Sequence, residues 1–164
     1  MKWIISCITI IGITALIGII LIINEANKKE EYEIIPSVRF PKMLLKINDK
    51  EVNFELYDNE TADAFYQKVK EVDTLTLTLK ENGGFEKYGS LGFSLPTNDE
   101  YITLSFGELA IYQSDKLCLF YNSNSYSYTK IGKINLMTKD ELKELLGSGD
   151  IVVEFYLEQT IELY

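Results

Sequence analysis

The densest run of polar and aromatic side chains in the sequence is Asn122-Ser123-Asn124-Ser125-Tyr126-Ser127-Tyr128-Thr129-Lys130. Tyrosine and serine combine stacking area with adaptable hydrogen bonds at little cost in rotamer entropy, the mixture used by recognition loops. Tyr126, Tyr128 and Lys130 are therefore candidate ligand-binding residues on one wall. A plainer alternative is a Ser/Asn-rich loop that enters a strand, with Tyr128 merely packing. A second candidate is Glu81 to Tyr88, where Gly83 and Gly84 let backbone approach a ligand beside Lys87 and Tyr88. It lacks the Lys-Ser/Thr pair of a phosphate loop, so a simple turn competes with a binding role.

Composition closes other chemistries. The 164 residues include no histidine, which removes histidine triads, His-ligated zinc and haem. A net charge of −9 argues against nucleic acid as a partner, because that affinity comes from Lys and Arg neutralising phosphates. Acidic residues are scattered, and no motif holds two of them together for acid/base work. Thr97-Asn98-Asp99-Glu100 offers oxygen ligands to a hard cation but falls short of a calcium loop, so neither metal nor cofactor is expected. Cys118 sits in the apolar run Leu117 to Phe120, where a thiol acts as a small hydrophobe with no histidine to activate it. Asn59-Glu60-Thr61 matches a glycosylation acceptor, though at a helix start.

Trp3 to Ile23 carries no charge and is apolar on all faces. At about 1.5 Å per residue such a helix reaches roughly 30 Å, the thickness of a bilayer core. Residues 1–23 are expected to be a transmembrane signal-anchor, with the lipid bilayer contacted through residues 3–23. A cleaved signal peptide is the competing reading, weakened because Asn24, Glu25 and Ala26 offer a single small residue for cleavage. Lys2 flanks one side and Lys28 with Lys29 the other, so charge barely sets orientation. The likeness to an export signal favours a single-pass protein with its domain outside the cytoplasm. Residues 24–41 contain Lys28-Lys29-Glu30-Glu31-Tyr32-Glu33, Pro36 and Pro41, and read as a stalk. Cys7 falls in the anchor and Cys118 in the domain, so no intrachain disulfide forms.

Residues 42–164 are mostly strand in pattern. Met43 to Ile47 pairs across Asn48-Asp49-Lys50 with a strand in which Val52, Phe54 and Leu56 alternate with polar residues. Thr74 to Leu79 alternates cleanly, and Leu91, Phe93 and Leu95 repeat the theme before Pro96. Leu109 to Tyr112 and Lys116 to Tyr121 form a hairpin across Gln113-Ser114-Asp115, and Tyr128 to Ile134 and Ile151 to Glu158 complete the strands. Ala62, Phe65, Tyr66 and Val69 make one helical stripe with Asp58 or Asn59 as cap. Thr138 to Glu141 is a capping-box pattern followed by Leu142, Leu145 and Leu146, with Gly147 as the exit. Seven or eight strands and two short helices predict a mainly β, closed barrel preceded by the membrane helix.

Leu56 to Ala62, Glu86-Lys87-Tyr88, Leu95-Pro96, Gly107-Glu108-Leu109, Leu119-Phe120-Tyr121, Tyr126 to Gly132 and Gly147-Ser148-Gly149 occur together in one family. On these motifs, residues 43–158 resemble the cyclophilin-like domain of uncharacterised bacterial proteins. The resemblance implies a cyclophilin-like β-barrel and carries no established reaction. True cyclophilins isomerise Xaa-Pro bonds with an arginine assisted by histidine, and here the sole arginine, Arg39, precedes the barrel. Lysine lacks the planar fork of guanidinium donors. The expectation is therefore a membrane-anchored domain that binds a peptide, protein or small molecule through Lys87, Tyr88, Tyr126, Tyr128 and Lys130 and has no catalytic residue. The alternative is a prolyl isomerase-like enzyme with a non-arginine site built on Lys87 or Lys130.

Overall fold

The computed structural model describes residues 41–158; the segments expected to form the anchor and the stalk, up to residue 40, and the last six residues lie outside them. Within the described residues, alternating apolar and polar residues build ten strands, and two amphipathic segments build helices. Among the described residues no helix is long and apolar enough to cross a membrane.

In chain order the elements are β1 (Met43–Ile47), β2 (Lys50–Val52), β3 (Phe54–Leu56), α1 (Glu60–Val72), β4 (Thr74–Asn82) and β5 (Glu86–Ser90). They continue with β6 (Glu100–Leu104), β7 (Glu108–Tyr112), β8 (Lys116–Phe120), β9 (Asn124–Ile134), α2 (Lys139–Leu146) and β10 (Ile151–Leu157). All pairings are antiparallel, in the order β2-β1-β10-β4-β5-β8-β7-β9-β3, with β6 added on β9. The two ends of that order, β2 and β3, are separated in the chain by Asn53 alone. One kinked segment thus serves both edges of the sheet and nearly closes it into a barrel, which removes exposed edges. The Asn53 carbonyl is not lost at the kink, since it accepts from Asn135 N at 2.8 Å.

Turn chemistry sets the registers. Asn48 and Asp49 both take positive φ, 47° and 66°, as a two-residue hairpin between β1 and β2 requires. Between β7 and β8 the connection has three residues, Gln113 to Asp115, of which Gln113 and Ser114 take positive φ, 50° and 64°. Gly132 on β9 is required by close approach: a Cβ there would stand 2.6 Å from both Glu55 O and Phe54 Cε2.

Inward residues of the strands merge into one core with both helices. Asn59 caps α1 by accepting from Ala62 N at 2.9 Å, and Ala62, Phe65 and Val69 are buried. Phe54 and Phe65 meet Phe155 edge-on, with centroids 5.7 and 5.0 Å away. Thr138 and Glu141 form the capping box of α2, which buries Leu142 and Leu146. The opposite face of β7 and β8 carries a smaller cluster of Leu104, Ala110, Cys118, Phe120 and Tyr128. β9 serves two sets of partners, β6 along Asn124 to Tyr128, then β7 from Thr129 to Lys133 across a bulge opposite Leu109/Ala110, with β3 on Gly132 to Ile134.

Two expectations about strands are corrected. Leu91, Phe93 and Leu95 are not a strand; Gly92 turns at φ 81°, and Leu91 N and Leu95 N donate to Asp115 O and Ser114 O in the β7–β8 turn. Leu91 and Leu95 are buried all the same, so the apolar signal was real and its backbone assignment was not. The strand lies just before, as β5, in a segment that reads as a loop because Gly83 and Gly84 precede it. β6 is the other strand the pattern misses, since its exposed Tyr101 and buried Leu104 share no clean alternation. The described residues therefore hold ten strands where seven or eight were expected.

Candidate functional site

The outward residues of β5, β7 and β8 surround a cavity of about 520 Å³. Register places them there: Glu86 lies opposite Phe120, Tyr88 opposite Cys118, and Tyr112 opposite Lys116. Asn82, Phe85, Asn124, Tyr126 and Tyr128 complete the lining. Tyr112, Tyr126 and Tyr128 form a triangle of rings with centroid separations of 5.8, 6.0 and 6.0 Å, all steeply inclined. Tyr128 also packs on Phe120 at 5.2 Å, which fixes its ring against the small outer cluster. Tyr126 remains half exposed.

At the floor lies Glu86, only 4% exposed. Its Oε1 accepts from Asn82 Nδ2 at 2.6 Å. Its Oε2 is, among the described residues, the one buried side-chain oxygen or nitrogen with no hydrogen-bond partner. Burial pushes the Glu86 carboxyl above the ordinary carboxylate range, and the hydrogen bond from Asn82 and the Cys118 thiol beside it, a weak donor, only partly counter that. Burial and the nearby Glu86 also push the Tyr128 hydroxyl up, to about 12, although Asn124 Nδ2 donates to it at 2.9 Å. The Cys118 thiol is raised by burial first and by Glu86 second, so it stays protonated and unreactive.

Lys130 belongs to a different concavity, about 730 Å³, between the start of α1, Pro96 to Asn98, and β6 and β9. Tyr128 borders both. Lys130 Nζ lies 3.0 Å from Glu108 Oε1, and Ser105 N donates to Glu108 Oε2 at 2.7 Å. Burial would raise the Glu108 carboxyl, but the hydrogen bond from Lys130, Ser105 and the lysine charge outweigh it and hold it below the usual range. Tyr57 is raised by burial and by the charge of Glu108. Three further polar groups here are bonded within the chain: Asn59 Nδ2 donates to Lys130 O at 3.0 Å, Thr61 Oγ1 to Pro96 O at 2.8 Å, and Thr129 Oγ1 to Asp99 Oδ1 at 2.7 Å. Asn59 is thereby a structural cap, and Asp99 of the candidate cation loop already has a donor.

Lys87 faces the other way. Its side chain is fully buried in the barrel, with Nζ donating to Gly149 O at 2.7 Å and paired to Glu81 Oε2 at 2.8 Å. Glu81 also accepts from the Tyr121 hydroxyl and from Gly84 N. Burial raises the Glu81 carboxyl, yet the hydrogen bonds from Lys87 and Tyr121 and the Lys87 charge bring it below the ordinary value. A flexible loop could hold Lys87 and Tyr88 on one side; a strand sends consecutive side chains to opposite faces. The five expected residues are thus divided, with Tyr88, Tyr126 and Tyr128 brought together, Lys130 across Tyr128 from them, and Lys87 inside the barrel. Glu86, Tyr112 and Asn82 were not anticipated, because only strand register reveals that they share the cavity.

No curated protein matches the chain. The family model described as the cyclophilin-like family matches residues 45–156, which spans β1 to β10 apart from their outermost residues and includes every side chain of the tyrosine cavity. With a nearly closed antiparallel barrel and two helices behind that match, the chain belongs to the cyclophilin-like family.

Proposed function

We propose that the barrel is a binding domain, held at a membrane by residues 3–23, that takes its ligand in the tyrosine cavity and catalyses no reaction. The observation that carries the binding reading is the triangle of Tyr112, Tyr126 and Tyr128 beside Tyr88, an aromatic surface left open to solvent at Tyr126. Monomeric soluble domains seldom leave such rings around a concavity without a partner to cover them. Against an isomerase built on lysine stands the pairing of both candidates: Lys87 is buried against Glu81, and Lys130 is held by Glu108.

Two measurements test this reading. Full-length chain in neutral detergent micelles, titrated with Xaa-Pro dipeptides, is expected to show amide shifts centred on Tyr88, Tyr112 and Tyr126 with no acceleration of cis/trans exchange. Tyr126→Ala should weaken that binding roughly tenfold, the scale of an aromatic anchor at an interface. Accelerated exchange would make the protein an isomerase, and shifts confined to the groove at Lys130 would move the site there. For the anchor, the chain should remain in the membrane pellet after alkaline carbonate while a chain starting at residue 24 is released; release of both would refute it.

A further inference from the structure

We infer that the ligand of the tyrosine cavity is an organic cation, an alkylammonium group whose positive nitrogen sits between the tyrosine rings and the carboxyl of Glu86. This rests on the binding reading above and names its chemistry. Two independent features of the cavity converge on it.

The first is the unpartnered oxygen. Buried polar groups in folded proteins are nearly always satisfied, and an orphaned carboxylate oxygen costs far more than an orphaned neutral one. Glu86 Oε2 meets no N–H or O–H donor in a residue 96% removed from solvent, while Oε1 is fixed by Asn82 and the other donor beside the carboxyl is the weak thiol of Cys118. An ammonium N–H is the donor that meets the missing acceptor demand and the missing charge together. The second is the wall. Tyrosine rings present a negative face, and a cation within about 6 Å of a ring centroid is attracted to it, most strongly where water is excluded. Tyr112, Tyr126 and Tyr128, 5.8 to 6.0 Å apart and steeply inclined, line one space with Tyr88, and Tyr126 is the ring left half exposed there while Tyr128 is buried. The one cation in the lining does not stand against this. Lys116, on the rim, is already paired to Asp115 at 2.8 Å, so its charge is countered locally. A cavity of about 520 Å³ admits an amine with a short hydrocarbon chain.

An anion is disfavoured by the same features, since the ring faces and Glu86 both repel it. A neutral hydroxyl would satisfy Oε2 only in geometry, without answering the tyrosine faces.

The test uses ¹⁵N-labelled full-length chain in neutral micelles, titrated separately with n-butylammonium and with n-butanol. The expected result is shifts at Glu86, Tyr88, Tyr112 and Tyr126 for both probes, with the ammonium bound at least about tenfold more tightly. Glu86→Gln should weaken the ammonium roughly thirtyfold and leave the alcohol unchanged. Should Glu86→Gln not fold, Tyr126→Leu at the half-exposed position removes one ring face and should cost the ammonium about fivefold and the alcohol nothing. Equal binding of the two probes, or ammonium binding indifferent to either substitution, would overturn the cation while leaving the cavity as the binding site. Shifts found only around Asn59 and Lys130 would overturn both.

Discussion

Phe155→Ala is expected to destabilise the barrel by about 4 kcal/mol, a loss of roughly 15 °C in Tm for a domain of this size. Phe155 sits on β10 between β1 and β4, opposite Leu45 and Leu75, with no exposed surface. Its ring receives the edges of Phe54 from β3 and Phe65 from α1. Truncation would therefore remove the transfer energy of the ring and two aromatic contacts, and leave a void bounded by three elements that cannot collapse together. Val152→Ala, three residues earlier on β10 and exposed, should change stability by less than about 0.5 kcal/mol. Thermal melts followed by far-UV circular dichroism decide the matter, and a loss under about 1 kcal/mol for Phe155→Ala would contradict the packing described.

Lys87→Ala is the second large effect, at about 3 kcal/mol. Breaking a buried ion pair ordinarily costs some 3 to 5 kcal/mol, but Glu81 keeps 37% of its side chain in solvent and so recovers part of its hydration. The Gly149 carbonyl loses its donor as well. Lys87→Met retains most of the buried stem and should cost about 1 to 2 kcal/mol, the share due to the ammonium. The pH dependence follows from Glu81. Its carboxyl titrates lower in the folded protein than the ordinary 4.5, so its contribution is full above that value and is lost as pH falls through the folded value. With Lys87 removed, that contribution shrinks, and the gap between wild type and Lys87→Ala should narrow from about pH 6 to about pH 3. A gap that stays constant or widens on acidification would mean that the pair does not hold the barrel interior.

Much of the architecture was legible because it depends on local chemistry. The caps of both helices, the hairpin turns at Asn48-Asp49 and Gln113-Ser114, and the burial of Cys118 all follow from near neighbours. The failures cluster where tertiary contact overrides the local signal. Leu91 and Leu95 are held by the carbonyls of a distant turn and need no strand of their own. β5 follows a glycine pair that suggests a loop, yet its hydrogen bonds go to β4 and β8 on either side.

The candidate site divides along the same line. Residue types alone pointed to the tyrosines of β9 and to Tyr88, since an aromatic and hydroxyl-rich stretch is a recognition surface wherever it is exposed. Which of them meet is a matter of register and of face. A shift of one residue along β5 would exchange Lys87 for Tyr88, putting an ammonium in the cavity and a phenol in the core. A β-rich, histidine-free, acidic domain with tyrosines concentrated before and within β9 is readable from residue types and their period, because composition and period need no partner. That Glu86 shares a cavity with those rings, one of its oxygens reached by no N–H or O–H donor, follows only from folding, because the juxtaposition joins residues about forty apart through the pairing of β5 with β8 and the packing of β9 across them.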